Sequence, residues 1–332
     1  MSLDGRAPST QPGSRGGSIL RWKVTSVALA TMVTGAAVFL LFPDRGAPAA
    51  RQRAATARPR GSRQAERIVF ASRSDSDDRY HIHLINPDGT GETVLTSGPE
   101  EDKTPAWSPN RQLIAFTRTS DSSNSSSKDR HIYIMRADGT GLVQVTDGPG
   151  EARDPSWSPD GTRLVFTVRG PGGMARLVMA AVDGSHPSRL PKPPAGCVDQ
   201  EPSWSPDGLT IAFARRCGQD ASGLYLMHLD GTGVQLLSTF GRTPDWSPDG
   251  ARIAYTGLGS YGPAVFVINA DGTGKQELTG DFTGDPVWSP DGTRIVFTVS
   301  EIVILKLYVI NVDGTGMRAL TSGSSSEVAP SW

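Results

Sequence analysis

Six tryptophans recur along the chain at Trp107, Trp157, Trp204, Trp246, Trp288 and Trp332, separated by 50, 47, 42, 42 and 44 residues. The first five open the phrase Trp-Ser-Pro-Asp-Gly or, at Trp107-Ser108-Pro109-Asn110-Arg111, a variant of it. A period of about 40 to 50 residues suits one four-stranded sheet per repeat, and such sheets pack radially into a toroid. The period therefore predicts an all-β chain with a six-bladed β-propeller over residues 66–332. Its 38 glycines and 25 prolines agree, because many short strands need many turns.

Residues 154–190 show how one repeat becomes a blade. Asp154-Pro155-Ser156-Trp157 is a short strand, Ser158-Pro159-Asp160-Gly161 a turn, and Arg163 to Val168 a second strand. Proline presets φ in the turn, aspartate bonds its own backbone, and glycine takes the positive φ that closes the hairpin. A third strand meets a second turn at Asp183-Gly184. That dipeptide recurs at Asp88, Asp138, Asp230, Asp271 and Asp313, each time followed by Thr-Gly. The first copy lacks its tryptophan strand, whereas Ala329-Pro330-Ser331-Trp332 supplies one and stops. The last strand is thus predicted to complete the first sheet and close the ring, with the six tryptophans filling equivalent gaps between blades.

Pro-x-Trp-Ser-Pro-Asp-Gly, then Arg294 to Thr298, Leu307 to Asn311 and Asp-Gly-Thr-Gly, resembles the TolB-type propeller repeat over roughly residues 66–332. The resemblance implies an exported module that binds protein or another ligand. TolB itself joins its propeller to a separate N-terminal α/β domain carrying a partner-binding arm; here a tail, an apolar span and a tether stand before the blades.

Residues 1–65 carry ten Lys or Arg against Asp4 and Asp44, which leaves about −9 on the remainder of a chain of net charge −1. An acidic propeller lacks the basic footprint that nucleic acid requires. Val24 to Phe42 is a charge-free run of nineteen residues, long enough to cross a bilayer as a helix. The reading is a basic cytoplasmic tail at 1–23, a single transmembrane anchor at 24–42, a disordered Arg/Ala/Pro linker at 43–65, and an extracytoplasmic propeller. The rival is a signal sequence cleaved near Ala47-Pro48-Ala49-Ala50, giving a secreted protein. Basic residues flank the run on both sides, so charge alone sets no orientation.

No Gly-x-Ser-x-Gly elbow or phosphate-binding Gly-x-x-x-x-Gly-Lys is present. His81, His83 and His131 sit at neighbouring third-strand positions and read as solvated strand ends rather than a zinc site. Acidic residues gather ahead of the tryptophans: Asp154, Glu201 and Asp285 three residues before, Asp102, Asp199 and Glu327 five before. Period-two alternation points both sets the same way and predicts a ring of six carboxylates at the channel mouth. Such a ring suits basic peptides, cationic ligands or calcium, the latter near Asp154, Glu201 and Asp285. Cys197 and Cys217 lie ten residues either side of Asp207 at a hairpin tip, which predicts a disulfide and an oxidising compartment. Ile302-Val303-Ile304-Leu305 is an apolar loop where the other repeats are polar, suited either to docking on a partner or lipid surface or to a longer hairpin packed on the first blade.

These features define a monomeric scaffold that binds an envelope protein, a peptide or a small ligand. A lyase or hydrolase using channel carboxylates and a bound cation, and an extracytoplasmic sensor, are the alternative readings.

Overall fold

The structure, a computed structural model, describes residues 66–332 except 75, 120–128, 149, 219–221 and 281. The predicted tail, anchor and linker lie outside the described residues, and among these no helix is long and apolar enough to cross a membrane.

The described chain is all β, arranged as antiparallel four-stranded meanders. Meander 1 takes its inner strand from Ser326–Ser331 and continues through Ile68–Arg73, His81–Ile85 and Thr93–Val94. Meander 2 runs through Glu101–Trp107, Leu113–Thr119, Arg130–Arg136 and Val143–Gln144, and meander 3 through Glu151–Trp157, Arg163–Arg169, Ala175–Ala181 and Ser188–Arg189. Meander 4 comprises Val198–Trp204, Thr210–Arg216, Gly223–His228 and Gln235–Thr239; meander 5, Arg242–Trp246, Arg252–Leu258, Pro263–Asn269 and Gln276–Glu277. Meander 6 comprises Thr283–Trp288, Arg294–Glu301, Ile304–Asn311 and Arg318–Ala319. Meanders 2 and 3 join into one larger sheet through a single parallel pairing, Arg130 with Glu151.

The inner strands touch one another in chain order, and that of meander 1 touches those of meanders 2 and 6, which completes a circuit. Buried apolar clusters follow the same circuit. One packs Phe166, Leu164 and Trp157 of meander 3 against Ala115, Ile132 and Ile134 of meander 2; another packs Trp332, Ile68 and Phe70 against Val296, Leu307 and Val309 of meander 6. Each of the six repeat tryptophans takes part in one such joint, with Trp107 the most open. The closure is pinned by pairing of Val69 with Ser331 and by the Trp332 indole, which donates to the Glu66 carbonyl at 2.7 Å.

Turn chemistry holds the register. Ser158 Oγ donates to Asp160 Oδ1 at 2.6 Å, Thr162 N donates to the same oxygen at 3.0 Å, and Gly161 sits at φ 69°. These two bonds and a third from Thr162 Oγ1 at 2.8 Å pull the Asp160 pKa down to about 2, because each favours the ionised carboxylate. Arginines at the start of second strands add a device not read from the sequence. Arg163, Arg252 and Arg294 lie 5.1, 4.8 and 4.7 Å from the ring centroids of Trp204, Trp288 and Trp332 in the next meander, so cation–π contact fastens neighbouring sheets.

Candidate functional site: an acidic axial channel

A cavity of about 820 Å³ lies on the axis of the circuit, walled by inner strands from all the meanders. The residue three places before each tryptophan reaches it: Thr104, Asp154, Glu201, Thr243, Asp285 and Ala329. All six hold φ between 44° and 57°, the left-handed region, although none is glycine. Each precedes a proline, and around them the pairing with the second strand slips, for example between Arg153 and Ser156 and between Gln200 and Ser203. This is a β-bulge, which bends the strand and re-aims one side chain. Threonines stabilise it: Thr117, Thr167 and Thr256 accept the bulge N–H of Asp154, Glu201 and Asp285 at 3.3, 3.1 and 3.0 Å. The recurring Phe-Thr or Tyr-Thr of the second strands was the signal for this support.

The bulge corrects half of the predicted ring. The residue three before each tryptophan is itself part of the bulge, and its left-handed backbone breaks the alternation that was to make the two acidic positions point alike. Asp102, Asp199 and Glu327 do not line the cavity; they are buried in ion pairs. Asp102 takes Arg118 Nε and Nη2 at 2.7 and 2.8 Å, and Asp199 takes Arg215 Nε and Nη2 at 2.6 and 2.8 Å. Glu327 meets Lys306 Nζ at 3.2 Å. All six acids also lie within strands rather than in the loops before them.

Asp154, Glu201 and Asp285 do face the cavity, joined by Asp245, which the sequence reading missed. Asp245 stands directly before Trp246, where meanders 1, 3 and 4 carry Ser331, Ser156 and Ser203. Its Oδ2 accepts from Trp288 N at 2.8 Å, just as Ser156 Oγ accepts from Trp204 N at 3.1 Å. Burial pushes Asp245 up to about 7, opposed by that bond alone. Burial also lifts Asp154 to about 6, with Arg153 lowering it and the Glu201 charge raising it further. Asp285 is raised by burial first and then by Glu201, with Arg242 opposing. Glu201 is fixed by Thr243 N and Gln200 Nε2, both at 3.0 Å.

Among the described residues no three of His, Cys, Asp and Glu gather closely enough to hold a metal ion. The calcium expected near Asp154, Glu201 and Asp285 is therefore not matched by such a group, although the Glu201 charge acts on both aspartates. His81 pairs with Asp77 and His83 with Glu92, each on its own loop or strand. Cys197 and Cys217 form a disulfide just outside the first pair of the hairpin, Val198 with Arg216.

An all-β circuit of radially packed meanders around an axial channel defines a β-propeller. The chain belongs to the TolB beta propeller domain family, whose model matches residues 122–243 and 224–332; the model of the dipeptidyl peptidase IV N-terminal region also matches residues 43–175. Among curated proteins, the Tol-Pal system protein TolB of Zymomonas mobilis is 48% identical over 40 residues, and that of Rhizorhabdus wittichii 40% over 47. These matches cover 12% and 14% of the chain and only 8% and 10% of the relatives. Solved structures share the fold. TolB from Acinetobacter baumannii matches at a TM-score of 0.70 and 21% identity, over 82% of this chain and 67% of that one. Oligogalacturonate lyase from Vibrio parahaemolyticus matches at 0.54 and 17%, over 79% and 76%.

Proposed function

We propose that each meander is one blade of a six-bladed propeller, held at the cell envelope by residues 24–42, and that the module is a scaffold whose channel receives a peptide or protein segment bearing a cationic group. Similarity to Tol-Pal system proteins supports an envelope role, and the Cys197–Cys217 disulfide suits an oxidising compartment. One observation carries the reading: four carboxyl groups on strained bulges and neighbouring positions face one channel whose remaining wall is largely proline and tryptophan. Strain held at six equivalent points is characteristic of a surface shaped for a ligand, and low-dielectric walls strengthen its attraction for positive charge.

The test is titration of a blocked Gly-Lys-Gly-Arg-Gly peptide against the protein, followed by tryptophan fluorescence. Six tryptophan residues border the cavity, so occupancy changes their emission. Replacing Asp154, Glu201 and Asp285 together by Asn, Gln and Asn is expected to abolish the change. Equal binding by the variant would refute the channel as the site.

A further inference from the structure

Connections between strands of meanders 4, 5 and 6 carry large apolar side chains that the fold leaves in solvent. Phe240 lies between meanders 4 and 5, Leu258 and Tyr261 at the hairpin joining the second and third strands of meander 5, and Phe282 between meanders 5 and 6. Ile302 and Val303 form the tip of the equivalent hairpin in meander 6, where Glu301 pairs with Ile304. Their exposures are 61%, 56%, 87%, 55%, 100% and 86% in that order. Strand direction alternates within a meander, so all these connections leave from one rim, opposite the Trp-Ser-Pro-Asp-Gly turns. They are also neighbours: Ser300 N donates to the Phe282 carbonyl at 2.8 Å, and a Cβ on Gly262 would stand 3.2 Å from the Phe282 ring.

Backbone strain marks the same places. Phe240, Phe282 and Ile302 hold φ of 59°, 65° and 55°, a conformation that glycine adopts freely and a β-branched or aromatic residue resists. The folded chain recovers nothing through Ile302, which touches only solvent. The tips of several connections stand beside one another in solvent, an array that suits a fluid able to conform around each one. Arg216 and Arg242 are exposed on this rim, at the end of a second strand and the start of an inner strand. They supply positive charge beside the apolar tips.

Where the described chain begins gives the geometry. Glu66 lies at the opposite rim, beside Trp332. Residues 43–65 can reach about 75 Å when extended, whereas a seven-residue strand spans about 23 Å. A bilayer holding residues 24–42 is therefore within reach of the far rim.

We propose that this rim docks on an anionic bilayer surface, with Phe240, Leu258, Tyr261, Phe282, Ile302 and Val303 entering the boundary between headgroups and acyl chains and Arg216 and Arg242 meeting lipid phosphates. The proposal rests on the membrane-anchored reading of residues 24–42. The test uses the full chain with vesicles of phosphatidylcholine and phosphatidylglycerol, its disulfide intact, and an environment-sensitive dye on Ile302→Cys. Resistance to alkaline carbonate reports the anchor separately from the rim. The rim reading expects blue-shifted emission, quenching by doxyl-labelled lipid and protection from iodide, with lipid quenching reduced several-fold in Arg216→Gln/Arg242→Gln. Free quenching by iodide without lipid quenching overturns the proposal. Protection from both quenchers also overturns it, since a protein face or a second copy then covers the rim. If carbonate extracts the chain, the anchor reading fails, and lipid quenching on the vesicle-bound chain still decides the rim; absence of vesicle binding overturns it.

Discussion

Removing the negative charge of Glu327 should open the ring where its two ends meet. In meanders 2 and 4 the buried acid pairs with an arginine on the adjacent strand of its own sheet, Asp102 with Arg118 and Asp199 with Arg215. In meander 1 the register partner of Glu327 is Ser72, and the cation comes from Lys306 in meander 6. Both side chains are only 2% exposed, and Lys306 also donates to the Ser325 carbonyl. Desolvation pushes Glu327 above the usual carboxylate range, against the pull of Ser325, Lys306 and Thr321. At their separation of 3.2 Å the attraction is about 5 kcal/mol with an effective dielectric of about 20, most of it offset by the cost of burying two ions. Glu327→Gln keeps that cost for Lys306 and forfeits the attraction. The expected loss is about 3 to 5 kcal/mol in urea unfolding, or about 10 °C in thermal midpoint. Hydrogen exchange should quicken first in Ile68–Arg73, the strand whose edge the last strand covers. Lys306→Met with Glu327→Leu should recover stability to within about 1 kcal/mol of the parent. A Glu327→Gln variant within about 1 kcal/mol of the parent, or a double variant no better than the single one, would refute the account.

Asp245→Ser keeps an acceptor for Trp288 N and removes a carboxyl whose folded pKa, about 7, exceeds its ordinary 3.8. The native state therefore holds that proton more tightly, and the resulting stability is complete below the ordinary value and lost as pH rises through 7. The variant should match the parent near pH 4 and be more stable by roughly 4 kcal/mol at pH 8; thermal midpoints across that range check it. Ile302→Gly relieves a positive φ at an exposed tip and should stabilise the fold by about 1 kcal/mol, measured by urea midpoint, while weakening the lipid contact of the rim. Reduction of Cys197–Cys217, 20 residues apart, should cost about 3 kcal/mol by freeing the unfolded chain, read as a lower midpoint in dithiothreitol.

The tryptophan interval and the Ser-Pro-Asp-Gly turns were enough to place the strands, because both act locally and repeat. The partition of the acids was not legible. Period two holds only while a strand is unbroken, and the bulge at each x-Pro step sends Asp154 to the axis while Asp102, ahead of it, enters a salt bridge. Arg118 and Arg215 stand eleven residues after their tryptophans, a spacing that would have disclosed the partners of Asp102 and Asp199. Asp245 was hidden because its significance lies in replacing a serine. Lys306 belongs to the neighbouring meander rather than to the sheet of Glu327, so the eleven-residue spacing does not find it.

Borrowing its innermost strand from residues 326–331 makes the first sheet wait for residues synthesised long after its own. Until the ribosome has released those residues, Ile68–Arg73 presents a bare edge to other nascent chains. A stalled or clipped product lacking them would thus be a seed for aggregation rather than a shorter working protein.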